Sequence, residues 1–201
     1  SWAPILRGGS LGAILGVLPG GGTVMATFGA YAIEKRLSRT PERFGKVLML
    51  DPVSPLGLQM NSSQVGVITA MKTDPDVCFA GLASAAPTLF RPETMVAGQM
   101  PQFADATSAA QRELFKKIIE RTRVLSDGIW FGTPHNLGLE WDSGALAKRM
   151  PEMTHEHLIL FGKMDYWIPR EHLDVMAEKL PNAKLEIFPY VGHSMNLEQP
   201  L

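Results

Sequence analysis

The stretch HLILFGKMDYWIP, residues 157–169, decides the fold class of this chain. Leu158 to Phe161 form a short continuous apolar run that Gly162 ends, as is typical of a buried strand. A helical pattern follows at about residues 170–180, and a second apolar run, KLEIFP, occupies residues 184–189. Strand, helix and strand joined by short connections make a βαβ unit, so the stretch predicts two parallel strands with a right-handed crossover.

An earlier strand is predicted in KVLMLDPVSP, residues 46–55. Val47 to Leu50 are apolar without alternation, and Asp51-Pro52 ends the run. Because parallel strands usually have helices on both faces, we expect Val47 to Leu50 to be covered on both sides. Asp51 is interpreted here as a turn former.

Residues 53–150 are predicted to be mostly helical. The clearest signal is a capping box from Ser108 to Gln111, followed by apolar residues at helical spacing. Trp130 and Trp141 fall in the same region, where they indicate either an apolar surface for a substrate or ordinary core.

Composition places the chain among globular proteins and excludes several classes of partner. Charged residues make up 19% and apolar residues 45%, and the formal net charge is −1, so we expect no nucleic-acid partner. The single cysteine, Cys78, cannot form an intrachain disulfide, and no cluster has the spacing of zinc ligands. We therefore expect no metal and no cofactor. No signal-peptide pattern opens the chain, which favours a cytoplasmic location.

The composition changes sharply near residue 46. Residues 1–46 carry six Lys or Arg against two Glu, and they hold nine of the nineteen glycines. Residues 47–201 are acidic overall, whereas residues 8–33 contain no charged side chain. A shift of this size predicts two parts of different character, residues 1–46 and residues 47–201.

Two polar residues follow the later strands. Asp165 comes three residues after the end of its strand, and His193 follows the next strand inside a Val-Gly-His-Ser segment. Because parallel strands end at the same edge of a sheet, we expect these two side chains to lie close together. A carboxylate there can fix the tautomer of an imidazole, whose other nitrogen is then free to take a proton from a nucleophile.

The other histidines point to no site. His155 and His157 lie two apart without an evident third ligand, so they are interpreted as loop and strand-edge residues rather than as metal ligands. His172 stands beside Glu171 and Asp174 in a helical pattern, which predicts a solvated face.

LILFGKMDYWIP at residues 158–169 and LPNAKLEIFPYVGHSMNLEQP at residues 180–200 together resemble the C-terminal half of an α/β-hydrolase. The resemblance implies a partial α/β-hydrolase-like parallel sheet with a helical cap at about residues 53–150. It also implies a catalytic triad with Asp165 as acid and His193 as base, and a small-molecule ester-like substrate. Some α/β-hydrolases place the acid after the earlier strand, which makes Asp51 the alternative acid.

The nucleophile of such a hydrolase sits in a G-x-S-x-G turn between a strand and a helix. GGSLG at residues 8–12 matches this pattern, with Ser10 as its serine. The segment SWAPILR in front of it is too short for the other strands of the sheet, and Pro19 would break the helix behind it. We therefore expect that Ser10 is not a nucleophile, which leaves two alternatives for the hydrolase-like part: ester hydrolysis through the Asp165–His193 pair, or inactivity because the nucleophile half is missing.

LGVLPGGG and YAIEKRLSRTPERFGK, both within residues 1–46, resemble the large membrane subunit of the tripartite tricarboxylate transporters. This resemblance implies a Gly-rich apolar helical segment interrupted at Pro-Gly, and membrane association through residues 8–33. The chain is then an apparent fusion of two fragments. A membrane-associated transporter fragment is the alternative to a hydrolase, and the open strand edges of a half sheet predict self-association.

Overall fold

The computed structural model describes residues 46–200. Ser10 and the rest of the predicted Gly-rich segment lie outside the described residues. The strands are β1 Lys46–Leu50, β2 Glu156–Gly162 and β3 Ala183–Phe188. The α-helices are α1 Ser62–Thr73, α2 Pro75–Ala85, α3 Ala109–Arg123, α4 Thr133–Ser143, α5 Ala145–Arg149, α6 Arg170–Lys179 and α7 Met195–Glu198. Short 3-10 turns occupy Pro87–Leu89, Pro92–Thr94 and Met150–Glu152, and a π-helical turn occupies Gly128–Gly132.

The three strands pair in parallel in the order β1-β2-β3. Leu160 of β2 lies between Leu50 of β1 and Glu186 of β3, so β2 is the central strand. This confirms the parallel strand pairs and the α/β class that the sequence predicts. Because all three strands run the same way, the loops that follow them meet at one edge of the sheet.

One face of this sheet is packed against helices. Side chains alternate between the two faces along a strand, and Ile159 and Phe161 of β2 point to the buried face. Their cluster includes side chains from α5, α6 and the adjoining turns: Ala147, Met150, Ile168, Leu173, Met176 and Leu180. Burial of these side chains fixes α6 against the sheet and so fixes where β2 and β3 end.

The opposite face is open in the part of the chain that the structure describes. Leu48 is 62% exposed and Leu50 is 49% exposed, while Leu158 and Leu160 beside them are half-buried. The prediction that Val47 to Leu50 are covered on both sides is therefore wrong for residues 46–200. The apolar run correctly indicates a strand, but helices pack here on only the face that carries Ile159.

A second core lies in the helical layer, which is formed mainly by the segment that connects β1 to β2 along the chain. Four phenylalanine rings form its centre, and Phe90 stacks on Phe103 with their ring centroids 4.7 Å apart. Phe115 of α3 meets Phe79 edge to face at 5.2 Å. The capping box predicted for α3 is present, because Gln111 N–H donates to Ser108 Oγ and Ser108 N–H donates to Gln111 Oε1.

This helical layer also holds the end of the chain. The amide of Gln111 donates to the carbonyl of Leu197 in α7 at 3.0 Å. Ser194 N–H donates to the carbonyl of Ala85 at the end of α2 at 2.8 Å. The segment around His193 is therefore seated between the sheet and the helices.

His172 differs from its sequence prediction. It is buried on α6, and its ring stacks on Trp141 with the centroids 5.7 Å apart. The solvated position that the charged neighbours of His172 predicted is therefore wrong, because Trp141 of α4 packs against this histidine.

Candidate active site

Asp165 lies in the turn between β2 and α6. Its Oδ1 accepts hydrogen bonds from the backbone N–H groups of Trp167 at 2.7 Å and Ile168 at 3.1 Å. Its own N–H donates to the carbonyl of Gly162 at 2.9 Å. These contacts hold the carboxylate in one orientation and leave Oδ2 for another partner.

That partner is His193. Nδ1 of the imidazole lies 2.9 Å from Oδ2 of Asp165, whose side chain is fully buried. With Asp165 ionised, Nδ1–H donates to the carboxylate, and Nε2 carries the lone pair. The His193 side chain keeps 27% of its surface exposed, and no hydrogen bond to Nε2 is seen from the described residues. The imidazole can therefore take up and release a proton at Nε2, and part of its side chain remains accessible to solvent.

Trp167 packs against the imidazole of His193. Its indole ring stacks on His193 with the ring centroids 5.5 Å apart and the planes 20° apart. Its Nε1–H donates to the hydroxyl of Ser84 on α2 at 2.8 Å. The ring plane of His193 is thus set by a side chain that is itself held by the helical layer.

Charge around the imidazole favours its protonated form. Burial alone would lower the pKa of His193, but the hydrogen bond and charge of Asp165 offset it. The carboxylates of Asp51 and Glu198 add to this, and the pKa of His193 lies above its ordinary value. A base with a raised pKa binds its proton more strongly, which suits it to remove one from a hydroxyl.

Asp51 ends β1 and is more than a turn residue. It has a positive φ of 39°, as at a turn, but its side chain is buried and Oδ1 accepts from Gly162 N–H at 2.7 Å. Oδ2 is buried without a hydrogen-bond partner among the described residues. Burial raises the pKa of Asp51 to about 6. Asp165, not Asp51, hydrogen-bonds to His193.

Glu198 is the third carboxylate near His193. It is buried on α7, and its Oε1 accepts from Gly192 N–H at 2.8 Å. Its Oε2 accepts from the hydroxyl of Thr88 at 2.6 Å. Sequence analysis missed this residue, because its partner Thr88 lies 110 residues away along the chain.

Two glycines bring β2 and the His193 loop close together. A Cβ at Gly162 would lie 2.6 Å from the carbonyl oxygen of Val191, inside the limit of real carbon contacts. The backbone of Gly192 lies against the ring of Pro87 in the same way. The short approach that these glycines allow is what places Asp165 within reach of His193.

Replacing Gly162 with alanine is expected to lower the free energy of unfolding by about 2 kcal/mol, because the new methyl meets backbone atoms that no rotamer change can move. Urea denaturation followed by circular dichroism measures the change. Gly138→Ala is the control, since open space surrounds Gly138 on α4 and alanine there should stabilise the helix slightly. Equal stability of Gly162→Ala and the parent would contradict the close approach.

A concave site lies in the helical layer. This cavity of about 380 Å³ is bounded by α1, the π-helical turn and α4. Trp130 and Phe131 form part of its wall, and His135 and Asp142 supply polar groups. Trp130 also belongs to the phenylalanine core, which agrees with its interpretation as an ordinary core residue.

The structure brings together two of the three residues that the sequence proposes for a site. Asp165 and His193 are in hydrogen-bond contact, as expected from the strand order. Ser10 lies outside the described residues. Among residues 46–200, no group of three or more His, Cys, Asp or Glu side chains is arranged to hold a metal ion.

Comparison with known proteins divides the chain. The model of the tripartite tricarboxylate transporter TctA family matches residues 1–73, so the match extends beyond residue 46 into β1 and α1. An uncharacterized 52.8 kDa protein from the TAR-I ttuC' 3' region of Agrobacterium vitis is 62% identical over 42 residues, which are 21% of this chain and 8% of that protein. An uncharacterized protein from the TAR-II ttuC' 3' region of the same organism is 59% identical over 34 residues, which are 17% of this chain and 14% of that one. The chain thus spans a small fraction of these relatives.

Several solved structures that are similar to this chain are hydrolases. An esterase from Exiguobacterium antarcticum is 21% identical with a TM-score of 0.48, over 77% of this chain and 52% of that one. A thermophilic esterase from Thermogutta terrifontis is 20% identical with a TM-score of 0.46, over 88% and 57%. The 2-hydroxy-6-oxo-6-phenylhexa-2,4-dienoate hydrolase of a Rhodococcus species is 16% identical with a TM-score of 0.47, over 88% and 64%. The chain spans little more than half of the first two.

The family match agrees with the transporter-like resemblance of residues 1–46. Within residues 46–200, no helix has the length and apolar character needed to cross a membrane.

Proposed function

We propose that residues 46–200 hold the acid–base pair of a hydrolase that cleaves ester or related bonds in a small molecule. The observation that carries the proposal is the 2.9 Å contact between His193 Nδ1 and the buried Oδ2 of Asp165. Isolated aspartates and histidines are common near strand ends. Here the carboxylate is oriented by backbone donors, and the imidazole is stacked on Trp167 and half-buried.

The proposed chemistry uses His193 as a general base. Nε2 accepts the proton of a hydroxyl while the hydroxyl oxygen attacks the ester carbonyl, and the imidazolium returns that proton to the departing alcohol. Asp165 keeps the imidazole in the productive tautomer and stabilises the positive charge that forms on it. The hydroxyl belongs either to a nucleophilic side chain or to water, and the described residues place no serine, threonine or cysteine on Nε2.

The substrate class follows from the same surroundings. The indole of Trp167 stacks on the imidazole and gives the site an aromatic wall. Such surfaces favour an apolar acyl or aromatic group next to the ester.

Hydrolysis of a panel of p-nitrophenyl esters by the full chain tests this function. We expect slow hydrolysis that falls by about 10²- to 10⁴-fold in His193→Ala, the range that a positioned base contributes. A fluorophosphonate probe added to the same samples is expected not to label Ser10. Equal rates for the parent and His193→Ala would remove the catalytic proposal, and labelling of Ser10 that His193→Ala abolishes would identify the attacking hydroxyl as that of Ser10 and complete a triad.

The second candidate is a membrane-associated transporter fragment, which the family match to residues 1–73 favours. Fractionation of cells that produce the full chain separates the two candidates. Recovery in the membrane fraction, released only by detergent, supports this second function, whereas full recovery without detergent contradicts it.

A further inference from the structure

We propose that Glu198 is a positioning residue for His193: its buried carboxylate clamps the loop that carries the imidazole and ties that loop to the helical layer. In its effect on rate, this inference rests on the proposed hydrolase function. The clamp itself is a property of the folded chain and can be measured without any substrate.

Three donors converge on this one carboxylate. Oε1 accepts from Gly192 N–H at 2.8 Å, and Oε2 accepts from Thr88 N–H at 3.1 Å and from Thr88 Oγ–H at 2.6 Å. Glu198 is 7% exposed, so these bonds replace nearly all of its hydration. Hydrogen bonds to an ionised acceptor are roughly twice as strong as neutral ones, which makes the junction a firm one.

The clamp acts on the residue next to the imidazole. Gly192 directly precedes His193, and its amide is held by Glu198. Ser194 directly follows His193, and its amide is held by the carbonyl of Ala85. The backbone of His193 is therefore fixed on both sides, so that its Nδ1 has little freedom to leave Asp165.

Thr88 links the clamp to the helical layer. It lies in the 3-10 turn Pro87–Leu89, and the neighbouring Pro87 ring packs directly against Gly192. Leu89 belongs to the phenylalanine core. A shift of this turn relative to the sheet is thus transmitted through Glu198 to the position of His193.

The charge of Glu198 matters as well as its shape. Three carboxylates face His193, each from a different element: Asp51 after β1, Asp165 after β2 and Glu198 on α7. Because Glu198 contributes to the raised pKa of His193, removing its charge should lower that pKa. A residue that only stabilised the fold would leave the titration of the imidazole unchanged.

The experiment follows the His193 imidazole by NMR in the full chain labelled at histidine, with His193→Ala to assign the signal. In Glu198→Gln we expect the titration midpoint of His193 to move to lower pH and exchange of its Nδ1 proton with water to become about tenfold faster. Thr88→Val keeps the charge and removes one donor, so it should speed proton exchange without that shift in midpoint. Glu178→Gln, on the exposed side of α6, is the control and should change neither.

An unchanged midpoint and unchanged exchange rate in folded Glu198→Gln would overturn the proposal. If Glu198→Gln does not fold, Thr88→Val decides, because unaltered exchange in that variant contradicts the clamp. The outcome is separable from the proposed function. Titration changes as expected in a chain that hydrolyses no ester would retain the clamp and reject the hydrolase, and His193-dependent hydrolysis with unaltered titration would do the reverse.

Discussion

Replacing Asp165 with asparagine is expected to slow the His193-dependent hydrolysis of p-nitrophenyl esters by about 10²- to 10⁴-fold. The carboxylate that accepts the Nδ1 proton at 2.9 Å is then replaced by an uncharged amide. An amide can present its N–H₂ group to the ring, which favours the tautomer with its proton on Nε2 and removes the base. It also cannot stabilise the imidazolium that forms when the proton is taken.

The pH dependence of this variant gives a second readout. Only the neutral imidazole is a base, so the rate of the parent should rise with pH through the pKa of His193, which lies above its ordinary value. Loss of the Asp165 charge removes the largest contribution that raises that pKa, and the midpoint should move to lower pH. Glu152→Gln, on an exposed 3-10 turn, is a control that should alter neither rate nor midpoint. A rate and midpoint unchanged in Asp165→Asn would contradict the assigned role.

The acid–histidine pair was predictable because it follows from topology. Two apolar runs separated by one helix predict adjacent parallel strands, and residues that follow such strands share one edge of the sheet. The sequence therefore places Asp165 near His193 without any knowledge of side-chain packing. The structure adds the hydrogen bond, the orientation of the carboxylate by Trp167 and Ile168, and the stacked indole.

Burial of single polar residues was much harder to predict. Glu198 and His172 stand among charged or polar neighbours in sequence, which is the usual pattern of a solvated helix. Their burial depends on partners far along the chain: Thr88 is 110 residues from Glu198, and Trp141 lies on a different helix from His172. No local pattern carries that information, because a hydrogen-bond partner is selected by the tertiary fold.

The exposed leucines of β1 show that an apolar sequence pattern can also predict burial that the structure does not have. An unbroken apolar run is typical of a strand in a parallel sheet that helices cover on both faces. It does not say which residues supply the cover. Among residues 46–200 the helices pack against Ile159 and Phe161, and Leu48 and Leu50 remain exposed on the other face.

Asp51 was interpreted from the sequence as a turn former, and its burial leads to the second large expected effect. Asp51→Asn should gain about 2 kcal/mol of stability relative to the parent as the pH rises from 4 to 8. The pKa of Asp51 is about 6 in the folded protein and about 4 in an unfolded chain, so the folded state binds a proton more strongly. The parent is therefore most favoured at low pH and loses stability as the pH rises through 6, whereas an asparagine does not titrate and can still accept from Gly162 N–H.

Urea unfolding of both proteins between pH 4 and pH 8 measures this difference. The groups that face Asp51 are Asp165, His193 and Glu198, and because Asp51 also raises the pKa of His193, the change in slope reports Asp51 together with its effect on that imidazole. Asp142→Asn is the matched control, because Asp142 is exposed on α4 and should leave the pH dependence of stability as it is in the parent. Stability curves that run parallel for Asp51→Asn and the parent would show that the Asp51 carboxyl is not desolvated, and would mean that its Oδ2 has a polar partner in solution. A difference in unfolding free energy that grows toward high pH would instead show that Asp51 carries an uncompensated negative charge near the Asp165–His193 pair. That charge helps to hold the proton on the imidazole.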